Sequence, residues 1–332
     1  MKKYFIALIS VFFLISAFAQ KKKITSEELK PSDLSGLEFR SVGPAFMSGR
    51  IADIAINPEN ENEWYVAVGS GGVWKTVNSG TTWKPIADNE SFYSTGCITI
   101  DPHNTSKVWL GTGENVGGRH VGIGHGVYVS ENGGKSWKSM GLKSSEHISK
   151  IIVSPKDPNI VFVASQGPLW SSGGDRGLFK TNDGGKTWKN VLSVNEWTGV
   201  TDIVIDQLNP DILYAATWQR HRNVASYMGG GPGTSIYKST DHGKNWIEIK
   251  DGLPNSNLGK IGLAISPFDS TILYAAVETD RRNGAVYKTT NSGGSWSKMS
   301  DTVSGATGPH YYQELVALSL IHISEPTRQL CI

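Results

Sequence analysis

The chain has 332 residues, rich in glycine (38) and tryptophan (11), with a formal charge of only +2. This length accommodates one large or two ordinary domains. The near-neutral balance argues against a nucleic acid or a membrane surface as partner, since either needs a concentrated basic face.

In chain order, the N-terminus reads MKKYFIALISVFFLISAFAQ. Two lysines, an apolar run and the Ala17-Phe18-Ala19 signal predict a secretory signal peptide over 1–19, cleaved near Ala19/Gln20. Residues 20–36 read as a linker. No other run is long enough to span a bilayer, so the mature protein is expected to be exported without a membrane span. Cys97 and Cys331 provide no disulfide framework, and Cys97, in the apolar run CITI, reads as a small core residue.

From Arg50 onward the sequence repeats itself. TVNSGTTW (76–83), SENGGKSW (130–137), TNDGGKTW (181–188), STDHGKNW (239–246) and TTNSGGSW (289–296) are variants of one octapeptide. Each follows a short β-branched or aromatic run (GVWKT, GVYVS, GLFKT, SIYKS, AVYKT) and is preceded by two more such runs. With the run after each tryptophan, every repeat holds four strands, A to D, and no sustained helical period occurs. The predicted fold is all-β, a β-propeller of four-stranded antiparallel blades. Five blades fall at about 50–84, 96–139, 147–192, 199–249 and 259–299, and a sixth begins at 308–316, within a propeller region 37–316. The tail 317–332 lacks the continuing pattern, resembles translated sequencing-adaptor read-through and is expected to be non-native, with downstream domains in a longer parent protein.

The octapeptide reads as the C-to-D hairpin. Its third residue (Asn78, Asn132, Asp183, Asp241, Asn291) can bond backbone N–H groups of its own turn, and its closing tryptophan (Trp83, Trp137, Trp188, Trp246, Trp296) can cover the hairpin. Because Asn and Asp interchange, these residues are expected to be scaffold: an amide can neither ionise nor shuttle a proton. The phrase S/T-x-D/N-x-G-x-S/T-W resembles the Asp-box (BNR) repeat of sialidases, xyloglucanase-type glycoside hydrolases and sortilin-like receptors. LEFRSVGP (37–44) with Ser48-Gly49-Arg50 is similar to exported bacterial proteins of the sortilin-N-terminal type, several of which carry a glycosyl hydrolase label.

Strand alternation places the A–B turns and octapeptides at one end and the variable B–C and D–A loops at the other. Variable loops on a rigid frame are where function usually sits. The expected ligand-binding face comprises Arg50, Arg119, His120, His125, Trp170, Arg176, Trp197, Trp218, Arg220, His221, Arg222, Tyr227 and Arg281, aromatics beside charges that suit a sugar ring or an extended peptide. Carboxylates available for glycoside hydrolysis are Glu114, Asp175, Glu278 and Asp280. The resemblance implies an essential Asp in the first B–C loop of xyloglucanase-type enzymes, where this chain has Gly69. The sialidase Arg-Ile-Pro phrase is not matched. His120 and His125 have no third ligand placed by spacing, so no metal is assigned, and no cofactor is expected. The leading expectation is therefore an exported, non-catalytic module binding a peptide, protein or glycan. A glycoside hydrolase with catalytic residues partly elsewhere is the alternative, and a scaffold module of a surface assembly a third.

Overall fold

A computed structural model describes residue 36 and residues 49–280, 283–301 and 315–317. The signal peptide, the linker apart from Gly36, Arg281, the tail beyond 317 and all but the last residues of the sixth-blade start lie outside them. The described residues from 49 onward belong to one compact unit, to which everything below is confined.

The described residues are almost wholly β, with one short 3₁₀ turn at Lys143–Ser145. The first sheet holds β1 (Ile51–Ile56), β2 (Trp64–Val68), β3 (Gly72–Thr76) and β4 (Lys84–Pro85) in that order. The second holds β5 (Thr95–Asp101), β6 (Asn104–Thr112), β7 (Val127–Ser130) and β8 (Lys138–Ser139). The third holds β9 (Ile148–Val153), β10 (Val161–Ser165), β11 (Gly177–Thr181) and β12 (Lys189–Leu192). In the fourth, β13 (Thr198–Ile205) and β14 (Leu213–Gln219) are followed by a small ribbon, β15 (His221–Arg222) with β16 (Tyr227–Met228). The sheet then resumes with β17 (Ile236–Ser239) and β18 (Ile247–Glu248). The fifth holds β19 (Ile261–Ile265), β20 (Leu273–Asp280), β21 (Asn283–Thr289) and β22 (Ser297–Ser300). Every pairing is antiparallel between neighbours, the meander of a propeller blade. The protein is a β-propeller.

The first strands of consecutive sheets lie side by side, and hydrogen bonds record the order. The Asp53 carboxylate accepts from Ile98 N, Thr99 Oγ1 donates to Ile151 O, Ser149 Oγ donates to Val200 O, and the Asp202 carboxylate accepts from Leu263 N. The apolar clusters are likewise shared between neighbours: Tyr65, Ala67 and Val73 of the first sheet pack with Ile98, Leu110 and Tyr128 of the second. Each sheet is apolar on both faces and completes its core only against the next.

The octapeptides build one turn five times over. Thr181 Oγ1 donates to the Asp183 carboxylate and accepts from Gly185 N, while Asp183 accepts from Thr187 N at 2.9 Å. Asn132 repeats this with Ser130 and Ser136. The amide substitutes for the carboxylate because one further bond reverses: Thr187 Oγ1 donates to Asp183, whereas Asn132 Nδ2 donates to Ser136 Oγ. Two successive residues take left-handed φ, such as His242 (61°) and Gly243 (76°). Each turn also bonds the A–B turn of its own sheet, as in Gly184 N to Asn159 O, so these two connectors share one end of the sheets.

Candidate functional site

At the opposite end, the loop between β6 and β7 reaches out of the second sheet. Four consecutive carbonyls, Glu114 to Gly117, are each met by a side chain from another sheet. His147, entering the third, bonds Glu114 O through Nδ1 at 2.8 Å. Lys260, entering the fifth, donates to Asn115 O at 2.8 Å and its side-chain oxygen at 3.2 Å, and Gln166 Nε2 also approaches Asn115 O. From the fourth, Arg220 donates to Val116 O at 2.9 Å and Arg222 to Gly117 O at 3.0 Å. Arg50, at the first sheet's edge, grips the Glu114 carboxylate bidentately, with Nη2 to Oε2 at 2.6 Å. Arg50 Nη1 also lies 3.0 Å from His120 Nε2. The segment 114–118 is thus a buried hub joining five sheets. Gly117 is required there because a Cβ would fall 2.1 Å from the Tyr227 hydroxyl.

Burial sets the electrostatics. His147 is fully buried, and desolvation, with Arg220 and Arg176 nearby, holds it neutral well below the usual histidine range. Burial lowers Arg220 to about 9 and Arg176 to about 10. Burial pushes the Glu278 carboxyl above its ordinary value, against the opposing pull of Lys260. Its Oε2 accepts from Lys260 N at 3.3 Å, so Lys260 connects Glu278 to the hub.

The expected ligand face divides in two. Trp218, Arg176, Arg220 and Arg222 are buried, which corrects the expectation of a displayed aromatic and three displayed cations. Trp218 donates to Gly229 O at 2.8 Å and lies between Arg220 and Lys260. Arg176 spends its donors on the carbonyls of Gly173, Gln166, Trp197, Pro168 and Ser171, ordering its own loop. The tightly folded loops present unpaired carbonyls, and guanidinium groups are the natural donors for them. Trp170, Arg119, His120 and His125 are exposed, the Trp197 ring packs tilted against His221 with centroids 4.3 Å apart, and Tyr227 is half-buried with Arg222 against its ring.

Among the carboxylates, Glu114 is fully buried beneath Arg50, and Asp175 accepts from Ser144 N at 2.9 Å. The Asp280 side chain lies outside the described residues. Gly69 faces Glu114: a Cβ there would sit 2.8 Å from Oε1, so the Glu114 carboxylate fills the space a side chain at 69 would need. Sequence reasoning passed over His147, Gln166, Lys260 and Asn115, whose roles depend on contacts between distant sheets. Among the described residues no group of three or more His, Cys, Asp or Glu could hold a metal ion, and no helix is long and apolar enough to cross a membrane.

No family model matches the chain. It is 25% identical over 236 residues to a xyloglucanase of Hypocrea jecorina, covering 61% of this chain and 26% of that protein. It is 26% identical over 228 residues to xyloglucanase Xgh74A of Acetivibrio thermocellus, covering 59% and 25%. A Paenibacillus xyloglucanase matches at 24% over 338 residues, 93% of this chain and 31% of that one. The chain therefore spans between a quarter and a third of these relatives' length. Among solved structures, an ancestral GH74 enzyme superposes with a TM-score of 0.62 at 24% identity, covering 81% of this chain and 33% of that one. The GH74 enzyme of Niastella koreensis gives 0.60 at 17% identity, covering 80% and 42%. By fold, the chain stands with these propellers.

Proposed function

We propose that this chain is the propeller of an exported glycoside hydrolase acting on a xyloglucan-type polysaccharide, with the glycan lying across the loop end. The observation that carries this reading is the similarity to xyloglucanases of one fungus and two bacteria across most of the repeat region. It favours the hydrolase over the binding module as the leading reading. Trp170, the Trp197–His221 pair and His120 would then stack on or bond sugar rings. Hydrolysis needs one carboxyl that holds its proton and one that is charged. Glu278, raised by burial, fits the proton donor.

The test measures release of reducing ends from xyloglucan, with retardation in xyloglucan-containing gels as the binding readout. Release that is lost in Glu278→Gln while retardation persists supports the hydrolase. A glycan-binding module without turnover is the second reading, favoured by the burial of Glu114 and by Gly69 where the Asp-box resemblance expects a carboxylate. Retardation without release supports it, and neither signal removes both.

A further inference from the structure

Three buried side chains reach the hub from the third and fourth sheets, and each is left with one polar atom to spare. His147 Nδ1 lies 2.8 Å from Glu114 O. A carbonyl can only accept, so Nδ1 carries the proton and the neutral ring leaves a lone pair on Nε2. Gln166 Nε2 donates to Thr201 Oγ1 at 3.0 Å and to Asn115 O at 3.4 Å, which assigns the amide and leaves Oε1 as an acceptor. Arg220 donates through Nη1 to Val116 O and through Nη2 to Gly167 O, leaving the Nε–H. His147 Nε2, Gln166 Oε1 and Arg220 Nε have no hydrogen-bond partner among the described residues and do not bond one another. All three residues are 0% exposed.

These atoms belong to one neighbourhood. His147 and Gln166 flank the β9–β10 hairpin and are joined by Gln166 N donating to His147 O at 3.0 Å. Arg220 holds the carbonyl of the next residue, Gly167, at 3.1 Å. The three side chains meet three consecutive carbonyls of the hub, those of Glu114, Asn115 and Val116. An unpaired buried donor or acceptor is costly, so the leftover inventory names its ligand. One donor and two acceptors call for a molecule with two protons to give and a lone pair to receive. A halide or a carboxylate would accept from Arg220 but turn its charge on two lone pairs. A metal cation would sit beside a guanidinium. Water matches all three, and three bonds are the usual complement of a buried water.

We infer that one water molecule is bound beside the hub, donating to His147 Nε2 and Gln166 Oε1 and accepting from Arg220 Nε. Ser145 Oγ, fully buried and unpartnered two residues before His147, is the hydroxyl available to its second lone pair. The water ties both ends of the β9–β10 hairpin to the loop of the fourth sheet. It also holds His147 in the tautomer that serves Glu114 O, so it is a working part of the joint between the second, third and fourth sheets.

The test is a crystal structure of the full chain grown in sodium bromide, with ordered solvent located. The expected result is one solvent oxygen within about 3.2 Å of all three atoms, with no anomalous bromide signal there. Anomalous density at that position identifies a halide and overturns the inference. So does the absence of solvent density, or a rotated side chain that lets Arg220 bond His147 or Gln166 directly. Long-range 15N spectroscopy of the histidines gives a second reading in solution near neutral pH. His147 is expected with its proton on Nδ1 and with Nε2 at the shift of a hydrogen-bonded acceptor. A proton on Nε2, or an Nε2 shift that shows no hydrogen bond, overturns the inference independently of the crystal.

Discussion

Phe162 gives the sharpest test of how the sheets are joined. Its ring is fully buried between the third and fourth sheets, stacked on His242 at 5.8 Å and capped by Lys180 at 5.3 Å. Replacing a buried phenylalanine by alanine costs about 3–5 kcal/mol, and the stack and cation add about 0.5–1.5 kcal/mol. Phe162→Ala should therefore lose about 4–6 kcal/mol, while Phe268→Ala, at an exposed ring, should stay within about 0.5 kcal/mol. Gly243→Ala probes the other side of the joint. Its φ of +76° is costly for alanine by roughly 1–2 kcal/mol, and the new Cβ would meet Phe162 Cε1 at 2.8 Å. Phe162→Leu removes that atom, so the double variant should be more stable than the sum of the singles by about 0.5 kcal/mol or more. Urea unfolding followed by tryptophan fluorescence reads all five. Additivity within about 0.3 kcal/mol, or a Phe162→Ala loss below about 1 kcal/mol, would refute the account of the joint.

Three further outcomes follow from the site and its scaffold. Asp183→Asn should leave the melting temperature nearly unchanged, since Asn132 makes the equivalent bonds, whereas Asp183→Ala should lower it clearly; equal losses would contradict the turn's logic. His147 is held neutral in the fold, so its contribution is present above the unfolded value near 6.5 and falls away below it as the unfolded chain takes up a proton. His147→Gln should flatten the stability profile below that pH, and an unchanged slope would count against the assignment. Arg176→Lys, with three donors for five carbonyls, should cost about 1–3 kcal/mol and speed proteolytic cleavage within 167–176.

The scaffold was legible because it is written in local chemistry. An Asx residue, a glycine and a tryptophan at fixed spacing specify a turn whatever surrounds them. The β-branched runs are likewise bounded by their own punctuation. The hub at 114–118 was not legible. Nothing local marks Asn115 as the acceptor for Lys260, 145 positions away, and Arg220 in a variable loop reads as part of a displayed ligand face. It is buried because the turns around it leave carbonyls without donors, a need visible only once the sheets are assembled. The long, glycine-rich loop 113–126 was the available signal, since such a chain can lie close against its neighbours.

The joints have a consequence for how the protein is made. Each contact runs forward, from a buried aromatic residue (Tyr65, Trp109, Phe162 or Tyr214) to the turn glycine of the next sheet (Gly134, Gly185, Gly243 or Gly293), synthesised about 70 to 80 residues later. A ribosome therefore always holds one newly formed sheet with an uncovered greasy flank, sealed only when the next emerges. Growth of this kind is vectorial and keeps most contacts between adjacent units, so folding advances stepwise with elongation rather than waiting for the whole chain.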